Sequence, residues 1–115
     1  MYNHPGTIWQ TAAIVNRHSG PKSDSHTVTG TLHAGQHVTI LCYSKGSPES
    51  FENPLHTPPT SDAWDFVVTG DQDLGSFVAD VFIDTGGDIR QQLGSQGTCD
   101  ALCKRLGGTG ASALG

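Results

Sequence analysis

Cysteines, histidines and carboxylates are the side chains here whose type and spacing invite chemistry. Cys42, Cys99 and Cys103 are an odd set, which in an exported chain leaves one bridge and one further thiol. Cys42 can pair with Cys99 or with Cys103, or it can remain reduced as a small buried apolar residue. Cys99-x-x-x-Cys103 has neither the spacing of a redox Cys-x-x-Cys nor a nearby histidine, so neither exchange chemistry nor a zinc site is expected from it. The six histidines include His26, His33 and His37, which gather around one turn. A weak metal site or a pH-sensitive edge is the functional reading. Exposed turn and strand residues are the plainer one, and no metal is expected. Asp62, Asp65, Asp71, Asp73, Asp80, Asp84 and Asp88 echo a calcium loop only at Asp71-x-Asp73-x-Gly75, which lacks the remaining ligands and the closing Glu. They are read as turn formers. No Gly-x-Ser-x-Gly turn is present. The expectation is a protein that is not an enzyme and carries no cofactor.

The aromatic residues offer recognition instead. Tyr43 adjoins a long polar segment, Phe51 sits within it among prolines, and Trp64 and Asp65 open the strand that follows it. Together Tyr43, Phe51, Trp64 and Asp65 form the candidate groove, since aromatic faces beside a few polar groups suit a peptide or a glycan. Plain packing of these rings is the alternative.

The elements that must hold these residues are short. Residues 9–16 read as a first strand, 27–32 as a second and 37–43 as a third. In the third, Val38, Ile40 and Cys42 are expected on one face and His37, Thr39, Leu41 and Tyr43 on the other. Gly35 stands in the tight connection before it, where positive φ is needed. Residues 44–62 read as a long polar loop, of a length that is often functional. Residues 64–69 alternate, with Trp64, Phe66 and Val68 on one face; 75–78 form another strand, and 79–83 a single helical turn into a last short strand. Residues 84–97 are turn-rich, 100–106 suit a short helix, and 107–115 a flexible tail. The expected division is a flexible lead-in at 1–7, a domain at 8–90 and an extension at 91–115. Some five short strands make a small all-β barrel or sandwich.

Composition agrees with this. The chain has 115 residues, 35% of them hydrophobic, with 15 Gly, a mix that favours strands and turns over long helices. A net charge of -5 with only six Lys and Arg argues against nucleic acid, which needs clustered cations. It equally argues against a polybasic membrane patch. No stretch approaches the roughly 18 apolar residues of a membrane span. The first residues carry no basic-then-apolar leader, and Met1 is read as a start residue on a mature exported chain.

Four segments then occur in order: Asn16-Arg17-His18-Ser19-Gly20-Pro21, Gly30-Thr31-Leu32-His33-Ala34-Gly35-Gln36-His37-Val38-Thr39-Ile40, Trp64-Asp65-Phe66-Val67 and Gly75-Ser76-Phe77-Val78-Ala79-Asp80. Together with Val81-Phe82-Ile83-Asp84-Thr85-Gly86-Gly87 they resemble the bacterial SH3-like domain of exported actinobacterial proteins. One departure is that His18 stands where the family usually has Arg. The resemblance implies an SH3-like barrel of about five strands, an extracellular or cell-wall location and a Cys42–Cys99 disulfide. It also implies a non-catalytic module that binds a cell-wall peptide, a glycan or a protein partner. In cell-wall hydrolases with such barrels the catalytic Cys-His pair lies in a separate domain. The alternative function is a small secreted assembly protein that self-associates as a homo-oligomer, through its remaining cysteine.

Overall fold

The computed structural model describes residues 3–52, 59–70 and 72–105, with the side chain of Arg105 outside the description. The Pro54 and Pro58 positions of the long loop, Asp71 and the expected tail therefore lie outside the described residues. Among the described residues seven strands form one antiparallel sheet: β1 (His4–Ile8), β2 (Ile14–His18), β3 (Val28–His33), β4 (His37–Ser50), β5 (Thr60–Val68), β6 (Ser76–Ala79) and β7 (Ile83–Asp84). Their order across the sheet is β3-β2-β6-β5-β4-β1-β7. The sheet curls into a half-barrel, so the chain is a small all-β fold as expected. Two short helices follow, α1 (Ile89–Leu93) and α2 (Cys99–Arg105).

The concave face holds the main core: Ile8, Val15, Leu32, Val38, Ile40, Val67, Val78 and Ile83, closed at one end by Ile89 and Leu93 of α1. Each such side chain contributes roughly 1.5–3 kcal/mol by leaving water. The convex face is not bare. Cys42 packs there with Cys99 and Leu102 of α2, and with Phe66 and Phe77. Beside them lies a second cluster of Trp64, Ala79 and Val81, edged by Phe51 and Phe82. The sheet is therefore apolar on both faces along β5 and β6.

Four details depart from the sequence reading, each for a local reason. The expected lead-in contains β1, which pairs with β4 from His4↔Ile40 to Thr7↔His37; Gly6 fits because a side chain there would meet Ile83 at 2.6 Å. The expected first strand is broken by a 3-10 turn at Gln10–Ala12 and by Ala13 at φ 59°, so β2 begins only at Ile14. In β4 the register shifts between Ile40 and Cys42. Leu41 is the extra residue of a bulge, which moves Cys42 to the face opposite Val38 and Ile40 and puts Tyr43 with them. Finally, much of the expected loop at 44–62 is strand, because β4 continues to Ser50 and β5 starts at Thr60. In the turn before β4, Gly35 has the expected positive φ of 79°.

Candidate functional site

A cavity opens on the convex face. Ile14, Val15 and Asn16 of β2, together with His18, Trp64, Ala79, Phe82, Ser23 and Glu49, surround a cavity of about 210 Å³. Trp64 forms its floor. It is 1% exposed, and its indole N–H donates to the Ser47 carbonyl at 2.8 Å. Ser47 in turn receives the chain of the 19–27 loop: its N–H donates to the Pro21 carbonyl at 3.1 Å and its hydroxyl accepts from the Ser23 N–H at 3.1 Å. This contact needs Gly46, since a Cβ at that position would lie 1.9 Å from the Pro21 oxygen and 2.5 Å from the Trp64 ring. The loop is thus pinned beside the tryptophan and makes one wall.

His18 makes the next. Its ring meets Trp64 edge-on at 5.4 Å and 86°, and it is buried. Thr27 Oγ1 donates to the Asp24 carbonyl, so the 2.9 Å contact between His18 Nδ1 and that hydroxyl is a donation by Nδ1–H. A neutral His18 then keeps Nε2 as an acceptor at the groove. Opposite lies Phe82, half-buried, with the Phe51 ring 5.2 Å away. The rim carries Ile14, which is 63% exposed, and the polar groups of Asn16, Ser23 and Glu49. An apolar floor with a few convergent polar groups is the usual build of a small ligand site.

Of the four residues expected to form a groove, Trp64 lines this cavity, and Phe51 packs behind it against Phe82 and the Trp64 cluster. Tyr43 and Asp65 do neither. They oppose one another in the β4–β5 ladder, one position on from Trp64, and so face the concave core. Tyr43 O–H donates to the Gly94 carbonyl at 3.0 Å, tying β4 to the end of α1. Tyr43 also borders a separate cleft of about 220 Å³ with Lys45, Arg90 and Asp100. Arg90 is itself engaged in an ion pair with Asp62, which holds the Asp62 carboxyl below its ordinary value.

Asp65 is completely buried and Asp80 is 1% exposed. Among the described residues no N–H or hydroxyl donor reaches either oxygen of Asp65; its neighbour is the carboxyl of Asp80. Burial raises the Asp65 pKa well above the ordinary carboxylate range. Asp80 adds to this as a like charge and as a partner of the protonated form, while Arg90 opposes it. The pair is fully enclosed, and no substrate atom reaches it in this conformation.

Cys42 and Cys99 form a disulfide across 57 residues. Thr98 adds a parallel bridge to Tyr43, so α2 is fastened along the outer side of β4. Cys103 keeps its thiol, buried one helical turn from Cys99, and an intermolecular bond through it requires α2 to lift away. Among the described residues no group of three or more His, Cys, Asp or Glu converges as a metal site, and no helix is long and apolar enough to cross a membrane. Arg17, beside the departure at His18, donates to Ser76 Oγ and Asp73 and thereby ties β2 to the turn before β6.

Ile14, Asn16, Glu49 and Phe82 were not singled out for the groove from sequence. Their only signal is parity: Ile14, Asn16 and His18 share one face of β2, and that face is not the one carrying Val15. Compared with family models, curated proteins and solved structures, the chain gives no match.

Proposed function

We propose that the protein is a non-catalytic, extracellular binding module of SH3-like type whose groove takes a short cell-wall peptide carrying a cationic group. The observation that carries this reading is the groove over Trp64, with Ile14 left 63% exposed at its lip. A concave cavity with an aromatic side chain beneath it and a few convergent polar groups is the build expected of a small ligand site. Glu49 is the acidic group at the rim, and the net charge of -5 favours approach by a cation. The ordered SH3-like segments support the module type by analogy, and the disulfide suits an oxidising compartment.

The test is retention on purified peptidoglycan at moderate salt, with glycan strands stripped of peptide as a second matrix. The peptide reading expects retention on the first matrix only, and loss of retention in Ile14→Lys and Glu49→Gln. Equal retention on both matrices moves the ligand to glycan. No retention on either contradicts a wall ligand and turns attention to a protein partner.

A further inference from the structure

The two buried carboxyls lie directly behind the groove. Trp64 and Ala79 are ladder partners, and both line the groove. The residue after each is an aspartate, Asp65 on β5 and Asp80 at the start of the 3-10 turn Asp80–Phe82. Phe82, the groove's far wall, ends that turn, and the Phe82 carbonyl accepts the Trp9 N–H at 3.2 Å. The floor and one wall of the groove are therefore mounted on the two backbones that carry the carboxyls. With Asp65 wholly enclosed and Asp80 1% exposed, two ionised carboxylates cannot remain side by side without solvent, because desolvation and like-charge repulsion act together.

We infer that a proton held between Asp65 and Asp80 latches the groove, so that ligand binding is switched by pH. Protonated, the pair hydrogen-bonds and draws β5 against the turn at 80–82, which sets Trp64 and Phe82 at the groove's width. Ionised, it separates those two backbones, admits water and disorders the groove. Binding is tight in acid and is lost as pH rises through the pair's elevated pKa. The elements around the pair carry few other charges among the described residues. Tyr43 opposes Asp65 from β4, and Arg90 on α1 favours the ionised form but is engaged with Asp62, with Asp88 nearby. His18, on the groove side of Trp64, is the other titratable group against this floor, with Glu49 at the rim. The sign follows from linkage. A carboxyl pair whose folded pKa is raised stabilises the fold fully below the unfolded value of about 3.9, and that contribution falls as pH rises through the folded value. Each retained proton costs about tenfold in the folding constant per pH unit over that interval.

This inference rests on the groove being the functional site, but its test reads the groove without a ligand. The Trp64 indole N–H resonance and the side-chain carboxyl carbons are followed by NMR from pH 3 to 9. The latch predicts that the Asp65 and Asp80 carboxyl carbons titrate well above the ordinary carboxylate range, and that the indole resonance moves with the same midpoint. Asp80→Asn, whose amide donates to Asp65, should leave the indole unchanged through that range, and His18→Gln should keep the wild-type midpoint. Asp65→Asn is the second variant should Asp80→Asn fail to fold. Carboxyl carbons that titrate within the ordinary carboxylate range overturn the proposal. So does an indole transition that disappears in His18→Gln and persists in Asp80→Asn or Asp65→Asn. A sound latch with no retention on any cell-wall matrix rejects the ligand assigned above and leaves the switch standing.

Discussion

Replacing Cys42 and Cys99 together by alanine removes a cross-link that closes 57 residues of chain. In the chain-entropy description the lost constraint on the unfolded state is about 4 kcal/mol at room temperature. That is a large fraction of the roughly 5–15 kcal/mol that holds a domain of this size together. The bridge also fastens α2 over Cys42, Phe66 and Phe77, so its removal loosens one end of the convex face. Equilibrium urea unfolding of the wild type and of the double variant measures the difference directly. With a slope of about 1–1.5 kcal/mol per molar urea for a small domain, the midpoint should fall by about 3 M. Because Cys42 is 0% and Cys99 5% exposed, mild reductant should act on the native protein only after opening, which makes the variant the cleaner perturbation. Cys103→Ser is the control; a buried serine costs about 1–3 kcal/mol, so it should unfold well above the double variant, with its disulfide intact by mass spectrometry. A midpoint shift below about 1 M in the double variant would refute the reasoning. So would a Cys103→Ser protein as weak as the double variant, since that places the bridge at Cys42–Cys103.

Asp73 accepts from the Gly75 N–H, the Thr69 N–H and hydroxyl, and Arg17. Partial burial raises its pKa, but these bonds outweigh it and hold the carboxyl at about 2. Its contribution is present above about pH 4 and is lost as pH falls through 2. Asp73→Asn should therefore cost about 1 kcal/mol at pH 7 after allowance for screening, and a shrinking fraction of that as pH falls to 2 and below, as read from Tm against pH. Gly46→Ala sets a methyl 1.9 Å from the Pro21 oxygen and should destabilise by about 1–3 kcal/mol through overpacking, with Trp64 fluorescence altered as the 19–27 loop moves. Tyr43→Phe breaks the bond to the Gly94 carbonyl and should cost about 1 kcal/mol, with faster amide exchange in α1 and little change in β2.

The strands whose apolar residues alternate are legible without coordinates. β4 before its bulge, β5 and β6 stand where expected, and the turn at Asp80–Phe82 leads into β7 as read. The failures are tertiary. In β1, Pro5, Gly6 and the one large apolar residue, Ile8, carry no strand signature; pairing to β4 makes it one. The strand at 44–50 is polar and holds Gly46 and Pro48, yet the ladder with β5 extends it. Leu41 gives no local sign of a bulge, and a one-residue slip there exchanged the faces of Cys42 and Tyr43. The expected groove mixed parities for the same reason: Trp64 and Asp65 are neighbours in sequence and so face opposite ways. Asp65 did leave a trace, as a charge between Trp64 and Phe66 on a strand apolar in both parities. Reading aspartates as turn formers hid it.

The central claim is that the groove over Trp64 binds a cationic cell-wall peptide, and an NMR titration tests it most directly. Wild-type protein at mildly acidic pH is titrated with a soluble stem peptide bearing a free amine, and backbone amide and indole shifts are mapped. The account predicts saturable shifts at Asn16, His18, Ser23, Glu49, Phe82 and the Trp64 indole, abolished in Ile14→Lys. Shifts confined to the Tyr43, Lys45 and Arg90 cleft, or none at millimolar peptide, would contradict it.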